Sequence, residues 1–440
     1  MAPSLSFPTL RLVLALALLA GTTVLAEAPA PWIGLIVLGL VLLILLPSLP
    51  SVLRTVTGRF AAAQVAVTIA LLVGTGQGMW DAVVPGMRFS GVAAFLICMP
   101  LYAVLFRAGG LDRWMARTLL RVRGGLRVPA LLACATVSTF GLSFGTIPVY
   151  GSALPGGSRP AAAALSRGIV ISMLLAPTTG SVAAVMAAYP TLGLPVILSA
   201  TGPVAAFAFA LGCLFRHGSV AFAEATPNRK RTEPTDWTAP VLVAILLIGL
   251  LGLGVSLLPA IAWSGVVTYL VWMRFQGRGR RWRRAVAGLR GVMNRSAARL
   301  APEIMLFVAT GWLAWALSGL TLPSDLGAPD AGGLLRPALP AVILVAMAGI
   351  AMLGVHPMVV FGILHPLVAQ IGTGLPPAAE YTVWLIGFVL ALLLAPISVL
   401  TMTAAITSGL TPWQASVRLH GVYALCLGAG TVAYVVTRYG

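Results

Sequence analysis

The chain has 440 residues, of which 59% are hydrophobic and 9% charged, and its mean hydropathy is +1.00. A soluble domain carries roughly 25% charged residues, so a water-soluble fold is excluded. At about 20 residues per spanning helix, the chain reads as an all-α polytopic membrane protein. The net charge of +18, from 28 basic and 10 acidic residues, falls between apolar runs. It reads as a positive-inside topology signal and not as a nucleic-acid-binding face.

The first apolar run, 12–26, follows a lone Arg11, a pattern shared with cleaved signal peptides. A second run, 32–46, follows at once, and pairing the two gives a consistent topology, so the first reads as a retained span. Further runs occupy 61–76, 91–106, 169–189, 193–215, 240–257, 259–273, 300–319, 381–404 and 421–437, making eleven spans. Two other stretches, 128–154 and 337–370, are rich in small residues and interrupted by Gly and Pro. Non-helical backbone at membrane depth is tolerated only where protein or a water-filled cavity covers it, so both read as re-entrant hairpins. Cys98, Cys134, Cys213 and Cys426 each sit alone in an apolar stretch, without the spacing of a metal or disulfide framework.

With the N-terminus inside and both hairpins re-entrant, 25 of the 28 basic residues lie on the cytoplasmic side. Only Arg88, Arg336 and Arg438 lie outside. This assigns the chain to a bacterial inner (plasma) membrane, N-terminus cytoplasmic and C-terminus outside. Residues 111–122, LDRWMARTLLRV, place Leu111, Trp114, Met115, Leu119 and Val122 on one helical stripe with Arg113, Arg117 and Arg121 off it, as in a helix lying flat in the interface. Residues 274–299 hold nine Arg and no acid and read as a cytoplasmic loop against anionic headgroups.

One pattern occurs twice: a hairpin with a G-x-x-P tip, then a span interrupted at L-L-A-P. The tips are Gly145 to Pro148 and Gly354 to Pro357; the interruptions are Leu174 to Pro177 and Leu393 to Pro396. The two hairpins enter from opposite sides, so the units form an inverted repeat, the sequence pointer to a secondary transporter site. Proline removes a helical hydrogen bond and clashes with the preceding turn. Carbonyls are freed and half-helix ends stand near the midplane, where positive N-terminal ends attract anions and freed carbonyls beside hydroxyls coordinate sodium.

Ser143, Gly145, Thr146, Thr178, Thr179, His356, Ser398 and Thr401 are therefore the candidates for solute binding. Ser138, Thr139, Ser181, Gly354 and Thr403 are the candidates for ion binding, with sodium the only cofactor implied. A single hydroxyl in a membrane helix more often bonds its own i−4 carbonyl; the clustering beside both prolines is what favours a site. His356 stands at a tip, where it donates to an anion, carries a proton or bonds structurally. His365, nine residues on, lacks metal-ligand spacing with it. Glu303 reads as a helix-start or snorkelling charge, or as a proton-coupling carboxylate. Asp81, Asp325, Asp330 and Glu380 fall in external loops without assigned chemistry.

The layout resembles the ion transporter superfamily, and most nearly the divalent anion/sodium symporter family, over nearly the whole chain. The tips carry Ser143, Gly145 and Thr146, and Gly354, Val355 and His356, where that family has Ser-Asn-Thr motifs. The resemblance implies a homodimer whose scaffold domain supports a transport domain moving as an elevator, with the tips and breaks as the binding site. On this reading residues 1–90 are scaffold helices and 91–215 the first repeat, with hairpin 128–154 and broken helix 169–189. Residues 216–299 are cytoplasmic loops and a linking helix pair, and 300–440 the second repeat, with hairpin 337–370 and broken helix 381–404. The function expected is a secondary active transporter, not an enzyme, moving a small anionic solute with sodium or protons, its partners being the solute and membrane lipids. No GxxxxGK[ST] motif supports ATP-driven pumping. The alternatives are an integral-membrane enzyme on lipid-linked pyrophosphates, with Asp112, Glu224, Glu233 and Asp236 the nearest candidates, or the membrane subunit of a multi-component uptake system.

Overall fold

The computed structural model describes residues 7–78, 80–110, 114, 117–119, 121–122, 124–142, 158–176, 179–215, 236–275, 281–320 and 332–439, which are helical throughout their ordered elements, with no strand among them. In chain order these are α1 (Phe7–Glu27), α2 (Pro31–Val52), α3 (Val56–Thr75), α4 (Val83–Ala108), α5 (Arg127–Leu142), α6 (Arg159–Leu175), α7 (Gly180–Ala188), α8 (Leu194–Leu214) and α9 (Thr238–Gly252). Then follow α10 (Leu257–Phe275), α11 (Arg281–Arg299), α12 (Ala301–Ser318), α13 (Gly332–Met352), α14 (Pro357–Ile371), α15 (Pro377–Leu394), α16 (Val399–Ser408) and α17 (Gln414–Tyr439). Nine stretches of the described residues are long and apolar enough to cross a membrane, among them the pair α15 and α16 taken together. The chain is an all-α polytopic membrane protein.

One of the eleven spans read from the sequence has a different form, and the broken span at 169–189 begins earlier than its apolar run. The run 240–257 holds only the 15-residue α9, because Gly254 (φ +82) takes the left-handed conformation after it. There the Gly254 amide donates to the Leu251 carbonyl at 3.0 Å and the Val255 amide to the Leu250 carbonyl at 3.1 Å, the paired bonds of a Schellman stop. The run 169–189 is two helices, and the first starts at Arg159, well before the apolar run. Residues 160–168, PAAAALSRG, are weakly hydropathic, but alanine is the strongest helix former, and the Ser158 hydroxyl accepts from the Ala161 amide at 3.4 Å as an N-cap.

Arg167 therefore lies inside a helix and not in a cytoplasmic loop. It is 2% exposed. Its Nη1 donates to the Phe215 carbonyl at 2.6 Å, which caps the end of α8, and its Nη2 to the Leu419 carbonyl within α17 at 3.1 Å. Beside it, a Cβ on Gly168 would stand 2.7 Å from the Leu132 carbonyl oxygen. Helices α5 and α6 thus meet backbone to backbone, the close approach that small residues permit in membrane bundles.

The Arg-rich stretch is likewise a helix. α11 buries Ala285, Leu289, Val292, Met293 and Ala297 against α1, α4 and α10 and leaves Trp282, Arg283, Arg284, Arg295 and Arg299 exposed. Its position is pinned from α1: Arg11 donates to Asn294 at 3.3 Å and Arg290 to Thr9 at 3.1 Å, while Arg11 also ties α1 to α2 through Ser48 at 3.2 Å. Of 111–122, Leu119 is buried, Arg117 and Arg121 are exposed, and the Trp114 ring lies 5.5 Å from that of Trp237. The centre of the bundle is α15, buried at every residue from 381 to 393 and surrounded by α6, α7, α8, α13, α14 and α17.

Candidate functional site

Two helices stop at the same motif. α6 ends at Leu175 and α15 at Leu394, in each case the second leucine of L-L-A-P. The following alanines are extended, Ala176 at φ −121, ψ 121 and Ala395 at φ −72, ψ 118, as a residue before proline is driven to be. The chain resumes helix at α7 and α16, with Thr179 and Ser398 at the N-cap positions. α6 packs on both α15 and α16, and α7 packs on α15, so the two interrupted helices lie side by side. Ala351, at the end of α13, packs with Ala391 and Ala395, which sets the α13–α14 turn beside the second interruption.

The two breaks differ in what their hydroxyls do. At the second, Ser398 Oγ accepts from the Thr401 amide at 3.1 Å, donates to the Leu392 carbonyl at 2.7 Å and lies 3.0 Å from Thr401 Oγ1. This break satisfies itself. At the first, Thr179 is 1% exposed, its hydroxyl has no hydrogen-bond partner among the described residues and it does not cap α7. A buried polar group left unpaired costs about 1 to 3 kcal/mol, and the first-turn amides of α7 stand beside it. The first break can therefore accept a polar ligand where the second is closed by its own side chains.

The remaining sequence candidates divide clearly. Ser138 and Thr139 are buried in α5 and both donate to the Ala135 carbonyl, at 3.2 and 2.6 Å, and Thr403 donates to the Val399 carbonyl at 2.7 Å; these hydroxyls serve their own helices. Gly354 turns the chain between α13 and α14 at φ +91. His356 caps α14, its Nδ1 accepting from the Met358 amide at 3.1 Å. Ser143, Gly145, Thr146 and Thr178, and the side chain of Ser181, lie outside the described residues, as does the rest of hairpin 128–154 beyond α5.

The sequence did not reveal a cavity of about 810 Å³ at the end of the bundle that the charge pattern assigns to the outside. Arg88, Tyr189, His365, Gln370, Glu27 and Trp315 are among its walls. Arg88 donates from Nε to the Ala187 carbonyl at 3.2 Å and from Nη2 to the Ala188 carbonyl at 2.8 Å, closing the C-terminal end of α7. The rings of Tyr189, Phe361 and Trp384 stand 5.6, 5.1 and 5.4 Å from that of His365. Glu380 is in the first turn of α15 and not in a loop: it accepts from the Tyr189 hydroxyl at 3.2 Å and from the Thr373 hydroxyl. Glu303 occupies the first turn of α12, with Oε2 buried and unpaired. No group of His, Cys, Asp and Glu suited to a metal ion occurs among the described residues.

The chain shares its fold with a solved membrane transporter. That neighbour is the YdaH transporter of Alcanivorax borkumensis, whose crystal structure reveals an unusual topology; the likeness has a TM-score of 0.51 at 17% identity and covers 87% of this chain and 89% of that one. It supports a transporter fold and not the divalent anion/sodium symporter family in particular. No family model matches the sequence, and no curated protein matches it.

Proposed function

We propose that the chain is a secondary active transporter of a small anionic solute, coupled to sodium or protons, that alternates access by an elevator movement in a bacterial inner membrane, as a homodimer. The observation that carries this reading is the unpartnered, buried Thr179 hydroxyl at the start of α7. It lies where a prolyl break exposes the positive end of a half-helix, within a fold held in common with a transporter. An anion there receives first-turn amides and the Thr179 hydroxyl, so helix ends take the role that charged side chains play in soluble sites. The Gly354 to His356 turn and the Ser398 break stand as the opposing half of the site, organised by their own internal bonds.

The test is uptake by purified protein in liposomes, over a panel of carboxylates and oxyanions, with sodium and proton gradients imposed separately. Accumulation of at least one anion under one of the two gradients is expected. If alanine at Asp236 abolishes turnover of a lipid-linked pyrophosphate by the same preparation, the enzyme reading replaces this one.

A further inference from the structure

The cavity at the outward-assigned end has a feature that a passive gap between helices does not. Arg88 uses Nε and Nη2 on the Ala187 and Ala188 carbonyls and lies over the Phe89 ring, 5.9 Å from its centre, which fixes the guanidinium, while Nη1 makes no hydrogen bond to the described residues. Among the described residues no carboxylate pairs with it. Glu380, the nearest acid of the network, is bonded to Tyr189 and Thr373, and Glu27, on the cavity wall, accepts from the Ser256 amide at 3.1 Å. Arg88 is exposed at the outward-assigned end, so its charge stands open to a ligand on the cavity wall.

Around Arg88 the wall is mostly apolar, with Leu25, Met87, Met186, Leu257 and Trp315 on it. His365 adds an imidazole to the same wall as Arg88, its ring held among three aromatic neighbours. The volume of about 810 Å³ falls in the range of roughly 300 to 1,000 Å³ that small-molecule pockets occupy. One fixed guanidinium with a free edge, in an apolar chamber, is complementary to one kind of ligand.

We infer that this chamber is a binding site, separate from the helix breaks, for an organic monoanion: an acid head on Arg88 and an apolar body against the aromatic and aliphatic wall. The carboxylate of Glu27 opposes a second negative charge. The chamber selects by charge at the mouth of the protein, before any solute reaches the interior.

The test uses the purified full chain carrying Ala369→Cys, one helical turn beyond His365 on the cavity wall, and measures its labelling by a polar maleimide, with the unsubstituted protein as blank for the native cysteines. The probes are hexanoate, the neutral hexanamide and the cationic hexylammonium. Hexanoate is expected to protect at about tenfold lower concentration than hexanamide, the worth of one hydrogen bond to a charged group, and hexylammonium is expected to give no protection. In Arg88→Gln, which keeps a donor for the Ala187 and Ala188 carbonyls, the advantage of hexanoate disappears; in Arg88→Lys, which keeps the charge, it persists. Equal protection by all three probes, or an advantage of hexanoate that survives Arg88→Gln, overturns the inference. The comparison of the three probes requires no variant at Arg88, so a misfolded Gln form does not remove the test. Transport is not read in this experiment, so failure here and failure of uptake are separate results.

Discussion

The Arg167 guanidinium sits 4.6 Å from the centre of the Tyr423 ring, tying α6 to α17 at a level where Arg167 also closes the last carbonyl of α8 through Phe215. Three helices meet on one side chain. Arg167→Met removes two charged hydrogen bonds and a cation–π contact and is expected to destabilise the protein by about 2 to 4 kcal/mol. A thermal-unfolding series in detergent checks this, and a double-mutant cycle with Tyr423→Leu should give a coupling of about 0.5 to 2 kcal/mol.

At the second break, Ser398→Ala removes the N-cap of α16 and the donor to the Leu392 carbonyl together. The expected cost is about 1 to 2 kcal/mol, read as a lowered unfolding midpoint. Ser398→Thr, which keeps the oxygen, should recover most of it.

Gly354→Ala places a Cβ on a residue at φ +91 where no neighbouring atom lies within 4 Å. The loss, about 1 to 3 kcal/mol, is one of backbone strain and not of packing. Hydrogen exchange should therefore speed up in the α13–α14 turn while α15 stays protected.

Much of the architecture was legible because prolines and hydropathy act locally. Both L-L-A-P motifs end helices at the expected leucine, since Pro177 and Pro396 constrain their own preceding residues wherever they stand. The hydroxyl bonds of Ser138, Thr139 and Thr403 were foreseeable as the ordinary behaviour of such residues in helices. Arg167 was not legible: in an alanine-rich stretch a single charge reads as a loop, and only the distant Phe215 and Leu419 carbonyls show why it is buried. The bonds of Arg88, Tyr189 and Glu380 were not legible for the same reason: sequence placed Arg88 and Glu380 outside the spans, but their partners are set by the packing of α4, α7 and α15 and not by any spacing in the chain. Nor could sequence distinguish Thr179 from Ser398, two N-cap hydroxyls after identical motifs, one unpartnered and one bonded.

Glu380 joins α15, the α14–α15 connection and the end of α7 through Thr373 and Tyr189. Tyr189→Phe and Glu380→Ala should each destabilise the protein, with a coupling of about 1 kcal/mol between them in a double-mutant cycle. Strict additivity would show that the Tyr189–Glu380 bond contributes nothing.

The account depends most on the Thr179 hydroxyl, which is buried without a hydrogen-bond partner among the described residues. The direct measurement is gradient-driven uptake by liposomes containing either wild-type protein or Thr179→Val, once the solute panel has identified a transported anion. Thr179→Val is isosteric and loses no protein hydrogen bond, so its unfolding midpoint should be unchanged or raised, while uptake falls by about tenfold, the worth of one hydrogen bond to a charged ligand. Uptake by Thr179→Val equal to wild type, or the absence of any gradient-driven accumulation across the panel, would contradict a solute site at the first helix break.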